Sequence, residues 1–132
     1  MSTTATVSEI GEDGLVRRIT RTLASSDDVI AGAGDDCAVL RSNKHGEVTL
    51  FKTDCVVQDV HFVKATPPSL VGRKALARVI SDIAAMGGEP QHAVVTLVLP
   101  PDTEVGYVDE LYAGMNKVAG EHGVSIVGGE TS

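Results

Sequence analysis

Apolar positions recur at helical spacing in three stretches of the chain. In SEIGEDGLVRRITRTLAS, residues 8–25, Leu15, Val16, Ile19 and Leu23 share one side and Arg17, Arg18 and Arg21 are left for water, which predicts a first helix. A second helix is predicted through SLVGRKALARVISDIAAM. Pro67 and Pro68 suit its start, where a missing N–H costs nothing, and Leu70, Leu76, Ile80, Ile83 and Ala84 recur on one face. Gly87 and Gly88 suit its C-terminal turn, and Pro90 forbids continuation. The third helix is predicted from Asp102 as N-cap, with Glu104 in its first turn. Val105, Val108, Leu111, Tyr112, Met115, Val118 and Ala119 form its apolar face and Gly123 ends it.

Between these stretches the period changes to that of extended chain. VIAGAGDD reads as a short strand entering a glycine turn, CAVLR as another extended piece, SNKHGE as a polar reversal and VTLFKTD as a strand. CVVQDVHFVKA is apolar and β-branched without regular alternation, so residues 29–64 read as strand and loop. QHAVVTLVLP, closed by Pro100 and Pro101, reads as a buried strand and VSIVGG as the last one. The order predicts an α+β fold, a mixed sheet with helices on one face, in one domain over residues 9–132 after a flexible start at residues 1–8. The end, VSIVGGETS, stops at a glycine turn with no element after it, which predicts that a carboxy-terminal domain is absent.

Composition narrows the function. With 42% hydrophobic and 22% charged residues the chain has the balance of a globular domain, and a net charge of −7 argues against a nucleic-acid-binding stripe. No apolar run approaches the roughly 20 residues that span a bilayer, and MSTTATVSEI lacks the pattern of a secretory signal, so no membrane association and a cytoplasmic location are expected. Cys37 and Cys55 have no zinc or redox spacing and read as two small buried residues.

The acidic residues carry the chemistry. Asp35 and Asp36 follow the first strand, Asp54 ends VTLFKTD, Asp82 lies inside an apolar helix and Glu130 follows the last strand. Each has an ordinary explanation: a solvated Gly-Asp-Asp turn, a strand-ending turn, a surface carboxylate at the terminus. Asp82, between Ile80 and Ile83, is either a polar-edge residue, or held by Arg78 one turn back, or paired with some other cation, because an isolated buried charge is costly. Together, in a chain without a catalytic Ser/His pair or zinc spacing, they favour a shared Mg²⁺ site, since oxygen ligands on loop junctions suit that ion and its phosphate partners. GRKALA has the lysine of a phosphate-binding loop but not its glycine frame, so phosphates would be gripped through metal ions.

GAGDDCAVL, KTDCVVQDVHF, GRKALARVISDIAAMGGEPQHAVVTLVLP and VSIVGGET, in that order, resemble the amino-terminal domain of the thiamine-monophosphate kinase family. That family belongs to a superfamily with aminoimidazole ribonucleotide synthetase and selenophosphate synthetase. The resemblance implies ATP-dependent phosphorylation of thiamine monophosphate to thiamine diphosphate, with ATP and thiamine monophosphate as partners and Mg²⁺ as cofactor. It implies metal ligation by Asp36, Thr53, Asp54, Asp82 and Glu130, a nucleotide contact at Gly129 and a substrate contact at His61. His61 also reads, without the motif, as filling the edge of a β-rich core. No general base is implied, because the attacking phosphate oxygen is already anionic. A homodimer whose sheets join into a barrel is implied as well.

Two positions depart from the family pattern. Glu130 stands where Asp is usual, as in the aminoimidazole ribonucleotide branch, and Lys52 stands where a serine often precedes the Thr-Asp pair, so it either replaces one cation's charge or points to water. Another superfamily enzyme and a non-catalytic dimerising nucleotide-binding domain are the alternatives. Selenophosphate synthetase is disfavoured, since residues 1–34 contain no cysteine and no lysine. On its own, this half of a site is expected to catalyse little or nothing.

Overall fold

The computed structural model describes residues 5–132. Its elements, in chain order, are α1 (Val7–Thr20), β1 (Val29–Ala31), β2 (Ala38–Arg41), β3 (Val48–Phe51), α2 (Pro68–Ala85), β4 (His92–Leu97), α3 (Val105–His122) and β5 (Ser125–Thr131). The α+β class holds, with the strands divided between two sheets: β1-β2-β3 is antiparallel throughout and β4-β5 is a parallel pair. Parallel pairing requires a crossover, and α3 supplies it.

The core is a helix pair against the parallel strands. Val71, Leu76 and Ile80 of α2 meet Leu111, Met115, Val118 and Ala119 of α3, with Val124 at the entry to β5. Ala93, Val95 and Leu97 alternate along β4 toward this cluster, while His92, Val94 and Thr96 face away. The helices cross closely because Gly72 is packed against the Leu111 carbonyl and Gly114 against that of Ser69. Neither position has room for a methyl group.

The predicted helix faces shift in detail. On α2 the buried side runs through Val71 and Gly72 rather than Leu70, which is 54% exposed, and Ala84 is exposed as well. On α3 the N-cap is Glu104 instead of Asp102, and Gly123 closes the helix at φ 67°. The first helix differs most. It begins at Val7, where Glu9 accepts hydrogen bonds from the Thr6 amide at 2.6 Å and hydroxyl at 3.0 Å, and it is interrupted at Gly11 with φ 67°. It buries no residue. Val16 and Ile19 are about half exposed and Leu23 lies beyond the helix end, so the apolar stripe that defines it in the sequence has no partner within the described residues. The helix takes in Val7 and Ser8 from the expected flexible start, and residues 1–4 lie outside the described residues.

No helix among the described residues is long and apolar enough to cross a membrane.

Candidate functional site

The chain leaves β3 extended, and burial alternates along it: Lys52 and Asp54 turn inward while Phe51, Thr53 and Cys55 turn out. An extended chain places alternate side chains on one side, so Lys52 and Asp54 share a direction. That direction faces α2, where Arg78 and Asp82, four residues apart, lie on one helix face.

The four charges pair across the gap. Arg78 grips Asp54 with both ends of its fork, Nε to Oδ2 at 3.0 Å and Nη2 to Oδ1 at 3.1 Å. Lys52 Nζ lies 2.6 Å from Asp82 Oδ2, and both side chains are about three-quarters buried. With Ser81, these residues line an open polar cavity of about 380 Å³. A larger cleft of about 590 Å³ follows the β2–β3 hairpin from Arg41 to Val48 and contains none of the predicted site residues.

Electrostatics fix the charge states. Burial pushes the Asp54 carboxyl up, but hydrogen bonds from Arg78 and the Cys55 amide, with the charges of Arg78 and Lys52, hold it below its ordinary value of 3.8. The hydrogen bond to Asp82 holds the Lys52 ammonium above its ordinary 10.5, against the opposing effect of burial. A carboxylate with a depressed pKa contributes stability above its unfolded value, and the contribution is lost as pH falls through the folded one. A raised lysine contributes below its unfolded value and loses this as pH rises through the folded one. The contribution of Asp54 is therefore expected to be complete above about pH 4, and that of Lys52 to be complete below about pH 10. Asp54→Asn, followed by calorimetric melting across pH, is expected to lower the plateau and shrink the drop on the acid side.

The other predicted residues are distributed elsewhere. Asp35 and Asp36 sit exposed in the bend between β1 and β2, where Asp35 Oδ1 accepts the Asp36 amide at 2.8 Å. Thr53 is exposed and does not line the cavity. Glu130 is not on a terminus beyond the last strand: β5 runs through Thr131, and Glu130 pairs with Thr96 as an exposed strand residue. Gly129, at φ 155°, lies so close to the Val95 backbone that a side chain would overlap it. The register slips between Ala93 and Val94, leaving Val127 as an extra residue that this glycine pair accommodates.

His61 closes a tight loop. Its Nδ1 accepts the Val57 amide at 3.0 Å, which leaves Nε2 as the nitrogen free to face a ligand. Its carbonyl accepts a hydrogen bond from Lys74 Nζ, and the loop turns at Asp59 with φ 63°.

Of the carboxylates expected to gather, Asp54 and Asp82 line one cavity. Among the described residues no three His, Cys, Asp or Glu side chains come together as a metal-holding group. Arg78 holds Asp54, not Asp82 as one reading of the helix had it. Cys37 is buried, which pushes its thiol up, whereas Cys55 is exposed, and both are free. The donor chemistry still suits magnesium, which takes hard oxygens from carboxylates and hydroxyls. The cations seated on those oxygens were the part that sequence reading left open.

Residues 34–132 match the family model described as AIR synthase related protein, N-terminal domain. The chain is 39% identical over 121 residues to the thiamine-monophosphate kinase of Bacillus subtilis (strain 168), covering 91% of this chain and 37% of that protein. It is 39% identical over 126 residues to the thiamine-monophosphate kinase of Aquifex aeolicus (strain VF5), covering 94% and 38%. Among solved structures it is similar to AaThiL complexed with AMPPCP and TMP, with a TM-score of 0.87 at 36% identity over 99% of this chain and 40% of that one. A second, tt0281 from Thermus thermophilus, has a TM-score of 0.85 at 30% identity over 96% and 41%. The chain therefore spans less than half the length of the relatives it matches. It belongs to the AIR synthase related family, as that family's N-terminal domain.

Proposed function

We propose that this chain is the amino-terminal part of a thiamine-monophosphate kinase, an enzyme that transfers the γ-phosphoryl group of ATP to thiamine monophosphate in the cytoplasm. The observation that carries the reading is the likeness of nearly the whole chain to a protein solved with AMPPCP and TMP, at a TM-score of 0.87. In the reaction, an anionic phosphate oxygen of thiamine monophosphate attacks the γ-phosphorus, the bond to the bridging oxygen breaks and ADP departs. No proton has to be removed, so no general base is needed. The protein's task is to bring two polyanions into line.

Asp54 and Asp82 are the centre of this reading, because they share a cavity. Asp36 in the β1–β2 bend, Thr53 after β3 and Glu130 on β5 are the further residues that would hold the metal. Magnesium held there would supply positive charge to offset that of the phosphates. Gly129 is the nucleotide contact proposed, and His61 offers Nε2 to the substrate.

The chain also exposes 9714 Å², where a compact monomer of its mass exposes about 6,600 Å². The difference exceeds the roughly 800 Å² that one partner hides in an ordinary interface. We assign part of it to a homodimer in which the outer face of β4-β5 is covered. A second reading, a different enzyme of the superfamily such as aminoimidazole ribonucleotide synthetase, is favoured by Glu130 within Gly-Gly-Glu-Thr.

The test is formation of thiamine diphosphate by this chain extended to the length of its relatives. Product is expected only with ATP, magnesium and thiamine monophosphate together. Asp54→Asn and Asp82→Asn are each expected to lower the rate about 100-fold or more, as removal of charge stabilisation at a transition state does. A folded protein that binds ATP but leaves thiamine monophosphate unchanged would favour the second reading instead.

A further inference from the structure

The cavity beside α2 holds two carboxylates and two cations, so its formal charge is zero without any bound ion. The pairing is also crossed. Arg78 and Asp82 stand four residues apart on one helix, the ordinary spacing of a pair within a helix, yet each binds the strand extension instead. Asp82 is thereby the partner of a flexible, single-point ammonium, and Asp54 of a rigid two-pronged guanidinium. The two differ in how readily they let go. Moving Lys52 breaks one contact, on a four-carbon stem that can swing; moving Arg78 breaks two aligned hydrogen bonds at once.

We infer that Lys52 is a resident cation on Asp82 that excludes a free divalent ion from the carboxylate pair and yields only when a phosphate-bearing ligand arrives. This rests on the reading of Asp54 and Asp82 as metal-binding residues. A divalent ion approaching Asp82 alone meets an ammonium 2.6 Å from the same oxygen, in a setting three-quarters removed from water, where like charges are poorly screened. A nucleotide changes the balance, because its phosphates give the displaced ammonium a new anionic partner within the same cavity. Metal and nucleotide then enter as one complex, and Lys52 moves from carboxylate to phosphate. Lys52 is a positioning and selectivity residue, not a group that reacts.

The inference separates metal binding from nucleotide binding, so it is tested with the metal alone. Mn²⁺ is titrated into the chain without nucleotide and free Mn²⁺ is followed by electron paramagnetic resonance, comparing the unaltered chain with Lys52→Met and Lys52→Arg. Lys52→Met keeps the apolar stem and removes the charge; it is expected to bind Mn²⁺ about tenfold more tightly or better. Lys52→Arg keeps the charge and is expected to stay as weak as the unaltered chain. Equal Mn²⁺ affinity in all three, or no Mn²⁺ binding by a folded Lys52→Met chain, overturns the inference. Should Lys52→Met not fold, the unaltered chain decides by nitrogen NMR of its lysine ammonium groups. The Lys52 signal is expected to stay in place when Mg²⁺ alone is added and to move when Mg²⁺ is added with a non-hydrolysable ATP analogue; movement with Mg²⁺ alone overturns it. Tighter Mn²⁺ binding in Lys52→Met, with no thiamine diphosphate formed by the unaltered chain extended to the length of its relatives, would refute the proposed activity and leave this inference standing. The reverse pattern would refute only the inference.

Discussion

Gly72→Ala and Gly114→Ala are each expected to destabilise the chain by about 2–3 kcal/mol, a loss of roughly 5–15 °C in melting temperature. Helix propensity alone predicts the opposite sign, since alanine in a helix interior is favoured over glycine by about 1 kcal/mol. The reversal comes from packing. A methyl on Gly72 would overlap the Leu111 carbonyl of α3, and one on Gly114 would overlap the Ser69 carbonyl of α2, so backbone would have to move away from backbone. That movement opens the contact between Val71, Leu76 and Ile80 on one side and Leu111, Met115 and Val118 on the other, which is most of the buried core. Gly120, also within α3, has open space where its side chain would be and is the control. Gly120→Ala is expected to be neutral or to stabilise by up to about 1 kcal/mol. Thermal melts of the three variants decide the matter: if Gly72→Ala and Gly114→Ala behave like Gly120→Ala, the close crossing of the helices is wrong.

These glycines also mark the limit of what the sequence could disclose. The period of apolar residues placed α2 and α3 correctly, because Leu76, Ile80, Leu111, Met115 and Val118 are both apolar and buried. It missed the crossing point, because glycine carries no hydrophobic signal and only the partner helix shows why it is required. The same limit applied to α1, where Val16 and Ile19 have the spacing of a buried face but are exposed in the chain as described. Periodicity reports that a face is apolar, not what covers it.

The site was legible in a similar measure. Asp82 stood out as a carboxylate in a place where a lone charge is costly and Asp54 as one at the end of a strand, and the fold brings them to one cavity. Their cationic partners were also legible in principle. Lys52 and Asp54 share a side at strand spacing, and Arg78 and Asp82 share a face at helical spacing, so two pairs of opposite charges pointed toward each other. Which cation took which carboxylate was not legible, because that depends on the approach of the strand extension to the helix. Asp36 and Glu130 were read from their places at element ends and from resemblance, Thr53 from resemblance alone, and all three are exposed. Exposure of that kind is what a ligand brought in with metal ions would reduce.

A dimer through the outer face of β4-β5 is the second large effect expected. Along β4 the residues alternate, with Ala93, Val95 and Leu97 turned to the helices and Val94 turned away at 72% exposure. On β5 the bulged Val127 is 60% exposed. β-Branched residues on the open face of a two-stranded sheet are poorly placed in water, and so short a sheet is marginal without further strands or cover. A second copy can supply that cover with two-fold symmetry, so each substitution acts twice in the assembly. Val94→Asp would then bury two unpaired carboxylates, each costing several kcal/mol, and dimer affinity is expected to fall by about 100-fold or more. Val127→Asp is expected to act in the same direction, while circular dichroism stays unchanged because neither side chain belongs to the buried helix core. Sedimentation velocity over a range of concentrations measures this. A dimer that both variants leave intact would place the interface on another face, and a monomer at every concentration would mean that some other surface covers these valines.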